Sequence, residues 1–513
     1  MDNLSNILCI GDNSSSDAWA HNLTKSYALK NNLSFRGQVD NLSQKIEFGV
    51  YYTGLLLLTE KEICTIAKNF DKIVILDQSI DKFSHPHIFV STWKLLNLLK
   101  NENTKIEIQN KSNMEFLDYW NNLLEKNKSF CLYPWVKSVS YNDHYTLCTQ
   151  SYTPVTKKSE MKNWQTDKNF TEIRQKMIAG EKLKNCKACY DQEAIGKNVS
   201  IRRHETLEWA ALLKLKSIKE LDKIKSPSYF ELRFSNKCNI KCRSCSGHYS
   251  HLIKKENNEI KDKKFQSLVM KEKFRSLGGP ALIDWRNLKR VYIGGGDPTV
   301  QPELYRFLES CIENNNTNFE LRLGINAVKI SNKLFDLFKP FNNLSFSCSI
   351  DGTPKIDEYI RWGTKWDQKY HNIKRLKADG HQIAINFVLS IWNVASLGET
   401  LQFFQKEFPG SPVHFNTAGY EGDILSPFNF PASKKILQTV ELAKHTKIYL
   451  NNEQRTQFLI DSLEKHYSKN NQYDKLKLSN FFYYNDILDK HRGSKLGEYI
   501  PELEECRKYV LEQ

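Results

Sequence analysis

Three cysteines, Cys238, Cys242 and Cys245, stand with three and then two residues between them, directly after the alternating run Tyr229-Phe-Glu-Leu-Arg-Phe-Ser235. So short a loop gathers three sulfurs at the end of a strand, which points to metal. Thiolates at this spacing can hold three irons of a cubane cluster and leave the fourth iron open to a small-molecule chelate. A zinc site lacking one ligand is the alternative reading. Seven of the twelve cysteines fall between positions 131 and 245. The opening residues, Met1 to Ile10, lack a basic start and a small-residue cleavage site, so clustered cysteines argue for metal rather than disulfides. Cys9, Cys64, Cys311, Cys348 and Cys506 are isolated and read as small buried hydrophobes.

From Tyr229 onward, short β-branched or aromatic runs alternate with longer helical ones. The strand-like runs are 229–235, 290–293, 319–324, 344–350, 383–389 and 413–416. Six strands with helices between them imply a parallel sheet, curved or closed like part of a barrel, with chemistry at the strands' C-terminal ends. Period two places Ser347, Ser349 and Asp351 on one face and Cys348 on the other, among packing residues. At the other end of the chain, Ile7–Ile10 and Lys72–Leu76 read as strands, and 17–29 and 90–99 as helices, which makes a small α/β domain. The turn Gly11-Asp-Asn-Ser14 follows the first strand and reads as a helix N-cap rather than an anion site. The expected domains are residues 1–125, a loop-rich cysteine segment at 126–210, the barrel at 226–420 and a mostly helical region at 421–513.

Further motifs follow the cysteine triplet in order. They are Tyr292-Ile-Gly-Gly-Gly-Asp-Pro298, Gly324-Ile-Asn326, Ser349-Ile-Asp-Gly352, Glu358-Tyr-Ile-Arg361 and Asn393. With the triplet they resemble the radical S-adenosylmethionine (SAM) superfamily. The resemblance implies a partial (β/α)6 radical SAM barrel with a 4Fe–4S cluster on Cys238, Cys242 and Cys245. It also implies SAM bound by Gly295, Gly296, Asp297, Pro298, Asn326, Ser349, Asp351, Arg361 and Asn393. Asp297 stands where relatives carry glutamate. In similar proteins the arginine at position 361 reaches the SAM carboxylate, a contact that suits a guanidinium fork. Ser244 replaces the usual bulky residue before the third cysteine, so adenine packing is expected from Ile385 to Leu389.

Upstream, Cys131 in Phe130-Cys-Leu-Tyr-Pro-Trp135, Cys148, and the pair Cys186 and Cys189 form a quartet, with a helical spacer at 173–180. This arrangement resembles the twitch domain, a shortened SPASM domain, and implies a second, auxiliary 4Fe–4S cluster. Four thiolates of a zinc ribbon would share the spacing. The implied activity is reductive cleavage of SAM to a 5′-deoxyadenosyl radical that abstracts a substrate hydrogen. Oxidation or cross-linking of a peptide is the favoured outcome, and no protein catalytic residue is named. Such chemistry needs an electron donor such as flavodoxin or ferredoxin. Dehydrogenation or rearrangement of a small molecule or nucleotide-linked sugar is the second reading. A third is a metal-stabilised nucleic-acid-binding protein, suggested by the net charge of +15. Against it, lysines are dispersed without a block of five or six like charges. No run of about 18 apolar residues appears, so the expectation is a cytoplasmic protein without a membrane span.

Overall fold

The alternating runs of the second half become strands of one sheet because one residue in two is apolar and is buried against helices. This is a computed structural model. It describes residues 116–141, 144–149, 151, 153–194, 200–269, 288–418, 423–431, 433–446, 448, 454–469 and 473–511. From the first part of the chain it describes 6–10, 35–38, 49–53, 60–70, 72–75, 95, 98–99 and 106–108. The turn at 11–14 and the helix expected at 17–29 lie outside the described residues. The chain divides into two units, Met1–Val136 with Asn163–Ser226, and Lys137–Lys162 with Pro227–Gln513.

In the first unit, β1 (Asn6–Ile10), β2 (Phe35–Gln38), β3 (Gly49–Thr53), β4 (Lys72–Ile75) and β5 (Ile106–Ile108) form a parallel sheet ordered β2-β3-β1-β4-β5. Leu8, Ile10, Ile63, Ile66 and Ile73 make its buried core. The same unit carries the helices Phe116–Lys126, Lys168–Ala179, Lys187–Ala194 and Ile201–Leu212. Helix Lys168–Ala179 covers the expected spacer. Asp167 caps its start by accepting from the Phe170 amide, and Gly180 ends it at φ +83°.

The second unit holds β6 (Lys137–Tyr141), β7 (His144–Thr146), β8 (Thr156–Lys157), β9 (Tyr229–Leu232), β10 (Arg290–Ile293), β11 (Glu320–Ile325), β12 (Leu344–Ser349), β13 (Gln382–Leu389) and β14 (Val413–Thr417). Their order is β14-β13-β12-β11-β10-β9-β6-β7-β8. The last six strands in sequence are mutually parallel, as the strand–helix alternation implies. The segment expected to be loop-rich differs from that reading. It supplies β6, which runs parallel to β9, and β7 and β8, which extend the sheet antiparallel.

One face of the six parallel strands packs on helices through Phe230, Val291, Leu323, Phe346, Cys348, Ile385 and Phe415 among others. Full burial of a large apolar side chain contributes about 1.5–3 kcal/mol. Cys348 is completely buried on this face. The opposite face carries Glu231, Arg290, Tyr292, Glu320, Arg322, Ser345, Ser347, Ser349, Gln382, Asn386 and Asn416. Parallel sheets covered by helices on both faces are apolar on both. A polar second face here reserves that side for something other than core. The helices Ser433–Lys444, Gln454–Lys469, Lys475–Arg492 and Pro501–Leu511 complete the unit.

Candidate cluster and cofactor site

The triplet loop leaves the end of β9 and is stitched to two neighbouring segments. The amides on either side of Cys242, at Lys241 and Arg243, donate to the carbonyls of Trp362 and Ile360 at 2.8 and 2.7 Å. Those carbonyls flank Arg361, so Cys242 and Arg361 stand across from one another. On the other side the Asp297 amide donates to the Lys237 carbonyl at 2.9 Å. Buried Gln301 reaches the carbonyls of Ser235, Lys237 and Gly295 through Nε2, at 3.2, 3.1 and 2.8 Å. Gly295 and Gly296 have φ of +83° and +56°. A side chain at Gly296 would overlap the Lys237 carbonyl, so only glycine lets the two loops come this close.

The three sulfurs are close enough to perturb one another. Burial, and then the neighbouring Cys242 sulfur, pushes the Cys238 thiol up to about 12. Burial raises Cys242, and burial with the sulfurs of Cys242 and Cys238 raises Cys245. Thiolates are costly here without positive charge, and iron would supply it, because metal binding drives thiol deprotonation. Burial alone would lower the Arg361 pKa, but Cys242, Asp351 and Asp357 beside it raise it above the ordinary value. Arg361 is therefore a permanent cation. Its Nη1 donates to Asp351 at 2.9 Å, while its Nε is buried without a hydrogen-bond partner among the described residues. The Oγ1 of Thr364 and Oε1 of Gln301 are orphaned in the same way. Orphaned buried donors and acceptors call for a missing partner. The donor set thus fits a three-thiolate cluster with a polar ligand beside it. Among the described residues no group of three or more His, Cys, Asp or Glu side chains is arranged to hold a single metal ion. A cubane does not require such convergence, since each thiolate takes a different iron.

The other expected SAM-pocket residues fall into place unevenly. Asp297 is fully buried and caps the turn Pro298–Val300. Its Oδ1 accepts from the Thr299 amide at 2.9 Å and its Oδ2 from the Asn326 amide at 2.7 Å. Pro298 is the buried first residue of that turn. Asn326 donates to Asn239 at 2.7 Å and lies 3.9 Å from the Cys238 sulfur. Asp351 is buried and accepts from the Val388 amide as well as from Arg361. Asn393 is fully buried and donates to the carbonyls of Asp351 and Val388 at 2.8 and 2.9 Å, so both of its side-chain donors are used within the chain. Ser349 is half-buried on the polar face, paired in register with Asn386. The adenine-packing expectation fares differently. Ile385, Phe387 and Leu389 are buried in the helix-facing core, and alternation leaves Asn386 and Val388 on the polar face.

Several residues here escape sequence reasoning. Arg243, inside the triplet, is buried with its guanidinium 3.8 Å from the Tyr359 ring centroid. It donates to the Tyr359 carbonyl at 2.9 Å, to Ser494 at 2.9 Å and to Asp489. Tyr484 and Asn485 complete this contact from helix Lys475–Arg492, and Arg492 of that helix pairs with Glu256. On β9, burial opposes ionisation of Glu231, but Lys137 and Arg233 hold it down at about 2. The alternation Glu231, Arg233, Ser235 was the available signal for a polar face. Nothing local announces the Arg243 contact.

Three of the quartet cysteines lie in the first unit. Cys131 sits in a segment whose Phe130 carbonyl accepts from buried Arg202 at 2.7 Å, and Arg202 also pairs with Glu193. Cys186 ends a short 3-10 turn, and Cys189 lies in helix Lys187–Ala194. Tyr190, next to Cys189, lies 3.1 Å from the Ser129 hydroxyl and ties this helix to the Cys131 segment. Cys148 belongs to the second unit, where it forms an isolated β-bridge with Ser151.

A parallel six-stranded sheet with three thiols after its first strand and a glycine turn after its second defines an α/β domain with a cysteine triplet at its strands' C-terminal ends. The domain is a radical SAM domain, because residues 232–404, about a third of the chain, match the model of the radical SAM superfamily. No curated protein matches the chain. Among solved structures, native anSMEcpe with bound AdoMet aligns over 42% of this chain and 58% of its own, at 15% identity and a TM-score of 0.30. Streptococcus suis SuiB bound to S-adenosylmethionine aligns over 53% and 60%, at 13% identity and 0.28. SuiB bound to the precursor peptide SuiA aligns over 62% and 64%, at 14% identity and 0.27. The chain therefore spans less than two thirds of the length of each. No described helix is long and apolar enough to cross a membrane.

Proposed function

We propose that this protein is a radical SAM enzyme that abstracts a hydrogen from its substrate, with a peptide as the substrate class. The observation that supports it best is Arg361, a buried cation set across from Cys242 with its Nε unpartnered. In this reading Cys238, Cys242 and Cys245 hold a 4Fe–4S cluster. Gly295 and Gly296 let the backbone approach SAM, and Arg361 orients its carboxylate. When bound, the cluster and SAM supply one-electron cleavage of the sulfonium bond, and the 5′-deoxyadenosyl fragment accepts the hydrogen. Asp351 holds Arg361 in place, while Asp297 and Gln301 hold the glycine turn against the triplet loop. Asn393 fixes the ends of β12 and β13 around Asp351. The rest of the pocket excludes water, with the sheet's polar face available to orient substrate. The peptide assignment, with oxidation or cross-linking as outcome, rests on the twitch-like pattern at 130–210. On that cysteine pattern alone we also propose that Cys131, Cys148, Cys186 and Cys189 ligate an auxiliary 4Fe–4S cluster.

The polar sheet face favours a second reading, a small polar molecule or nucleotide-linked sugar as substrate. A requirement for peptide in turnover separates the two. The test of the reaction class is direct. Anaerobically purified protein should be brown, with about eight irons, and replacing the three triplet cysteines with alanine should leave about four. Dithionite-reduced protein given SAM should release 5′-deoxyadenosine even without substrate. A triple variant with its full iron, or zinc in its place, overturns the assignment.

A further inference from the structure

Among the described residues, three that are not glycine have a left-handed backbone: Lys214, Asn315 and Ala327. Lys214 and Asn315 are exposed and follow the helices Ile201–Leu212 and Pro302–Glu313, where such a residue commonly ends a helix. Ala327 is different. It has φ +60° and no exposure to solvent, and it follows Asn326 just beyond the end of β11. The turn it makes meets the triplet loop twice. Asn326 donates to Asn239 and lies 3.9 Å from the Cys238 sulfur, while Val328 packs with Ile240 and Cys242. A residue with a Cβ takes this conformation at a cost, and keeps it only where its surroundings fix it. Here the fixing group is Asn372. Its buried side chain, on helix Trp366–Ala378, donates to the carbonyls of Ala327 and Val328 at 2.9 and 3.3 Å. One turn earlier on that helix, Lys369 pairs with Asp357, both without solvent exposure, so Asn372 projects from a pinned element. Asp357 in turn accepts from the Asp351 amide at 2.8 Å. One helix thus grips the turn beside Cys238 and the backbone of the Asp351–Arg361 pair across from Cys242.

We propose that Asn372 is a positioning residue for the cofactor pocket: by holding Ala327 left-handed, it keeps Asn326 at the Cys238 sulfur and Val328 against Cys242. The inference rests on the proposed radical SAM reading, which puts SAM at the iron that the three cysteines leave open. Asn372 acts through the turn and not by touching SAM. Without its two donors, the buried carbonyls of Ala327 and Val328 lose a partner. Ala327 then relaxes toward the right-handed and extended regions that suit alanine. A change of that size at one residue re-aims the chain on either side of it. Asn326 turns away from Cys238, and the wall that faces SAM changes shape, while the cysteines stay on their own loop.

The test measures the dissociation constant for SAM by equilibrium dialysis on the anaerobic full-length holoprotein, with iron content and a thermal melt for every variant. Asn372→Leu keeps the branched shape of the side chain and removes both donors. It should weaken SAM binding about tenfold, while iron content stays at the parental value. Adding Ala327→Gly should restore affinity to within about threefold of the parent, because glycine takes a positive φ without the Cβ penalty. A helix that only supported the fold would give a lower melting temperature, unchanged affinity and nothing to rescue. Asn372→Ser keeps one donor and should fall between the parent and the leucine variant. Combined with Ala327→Gly, it repeats the comparison if the leucine variant does not fold. Parental affinity in the donor-deficient variant, or a loss that Ala327→Gly leaves uncorrected, overturns the inference. A parent holoprotein that binds no SAM instead overturns the cofactor reading beneath it.

Discussion

Arg361 shows how much one side chain can be asked to do. Its charge is fixed by Asp351 on one side and the Cys242 sulfur on another, and one nitrogen is left over. That leftover donor gives the residue-scale prediction. Arg361→Ala should raise the dissociation constant for SAM about tenfold to hundredfold, the range for losing a charge-assisted contact. Iron content should not change. Equilibrium dialysis with labelled SAM checks this, with thermal melts run alongside because Asp351 loses its partner. Arg361→Lys should recover only part of the affinity, since an ammonium keeps the charge but not the fork. Equal affinity in parent and alanine variant would remove Arg361 from the pocket.

Among the elements, helix Lys475–Arg492 has the largest unforeseen role. Asp489 on this helix faces Arg243, whose guanidinium has no exposure to solvent. Asp489→Ala would strand that charge, a change that costs about 3–5 kcal/mol when one partner of a buried pair is removed. The expected outcome is a lower denaturation midpoint together with about four fewer irons, those of the triplet. Retention of full iron at parental stability would show that the helix does not lock the loop. The contrast with the rest of the barrel explains what was legible in the sequence. Six strands, the cysteine spacing, the glycine turn and the burial of Cys348 are written in local period and residue type. The Arg243–Asp489 contact spans 246 residues, and the pairing of β6 with β9 joins Lys137 to Tyr229. Neither leaves a periodic trace. Nor does Gln301, a single amide whose importance comes only from the three carbonyls around it. For the adenine-packing expectation at Ile385 to Leu389, the structure divides the segment between two faces. Alternation along β13 had already assigned Ile385 and Leu389 to the core face, and only the residues between them face the other way.

For the whole molecule the question is how many clusters the chain holds and what each does. If the quartet ligates a cluster through four thiolates, that cluster has no open iron for SAM. The double variant Cys186→Ala, Cys189→Ala should then lose about four irons yet still release 5′-deoxyadenosine under dithionite, while product formation on the true substrate falls much further. The electron paramagnetic resonance spectrum of reduced parent should change on adding SAM in one signal only, and that signal should survive the double variant. A SAM-induced change in the signal that the variant lacks would mean the quartet has an open iron. The clasp on Arg243 also sets a sequence of events in time. During synthesis the triplet loop emerges long before Asp489, Ser494 and Tyr484, and domains fold as their chain becomes available. Until helix Lys475–Arg492 is made, Arg243 lacks its partner Asp489. The loop can therefore reach its final form only after the chain as far as Ser494 has left the ribosome, and a helix 246 residues further along decides when the cysteines of the barrel are ready for iron.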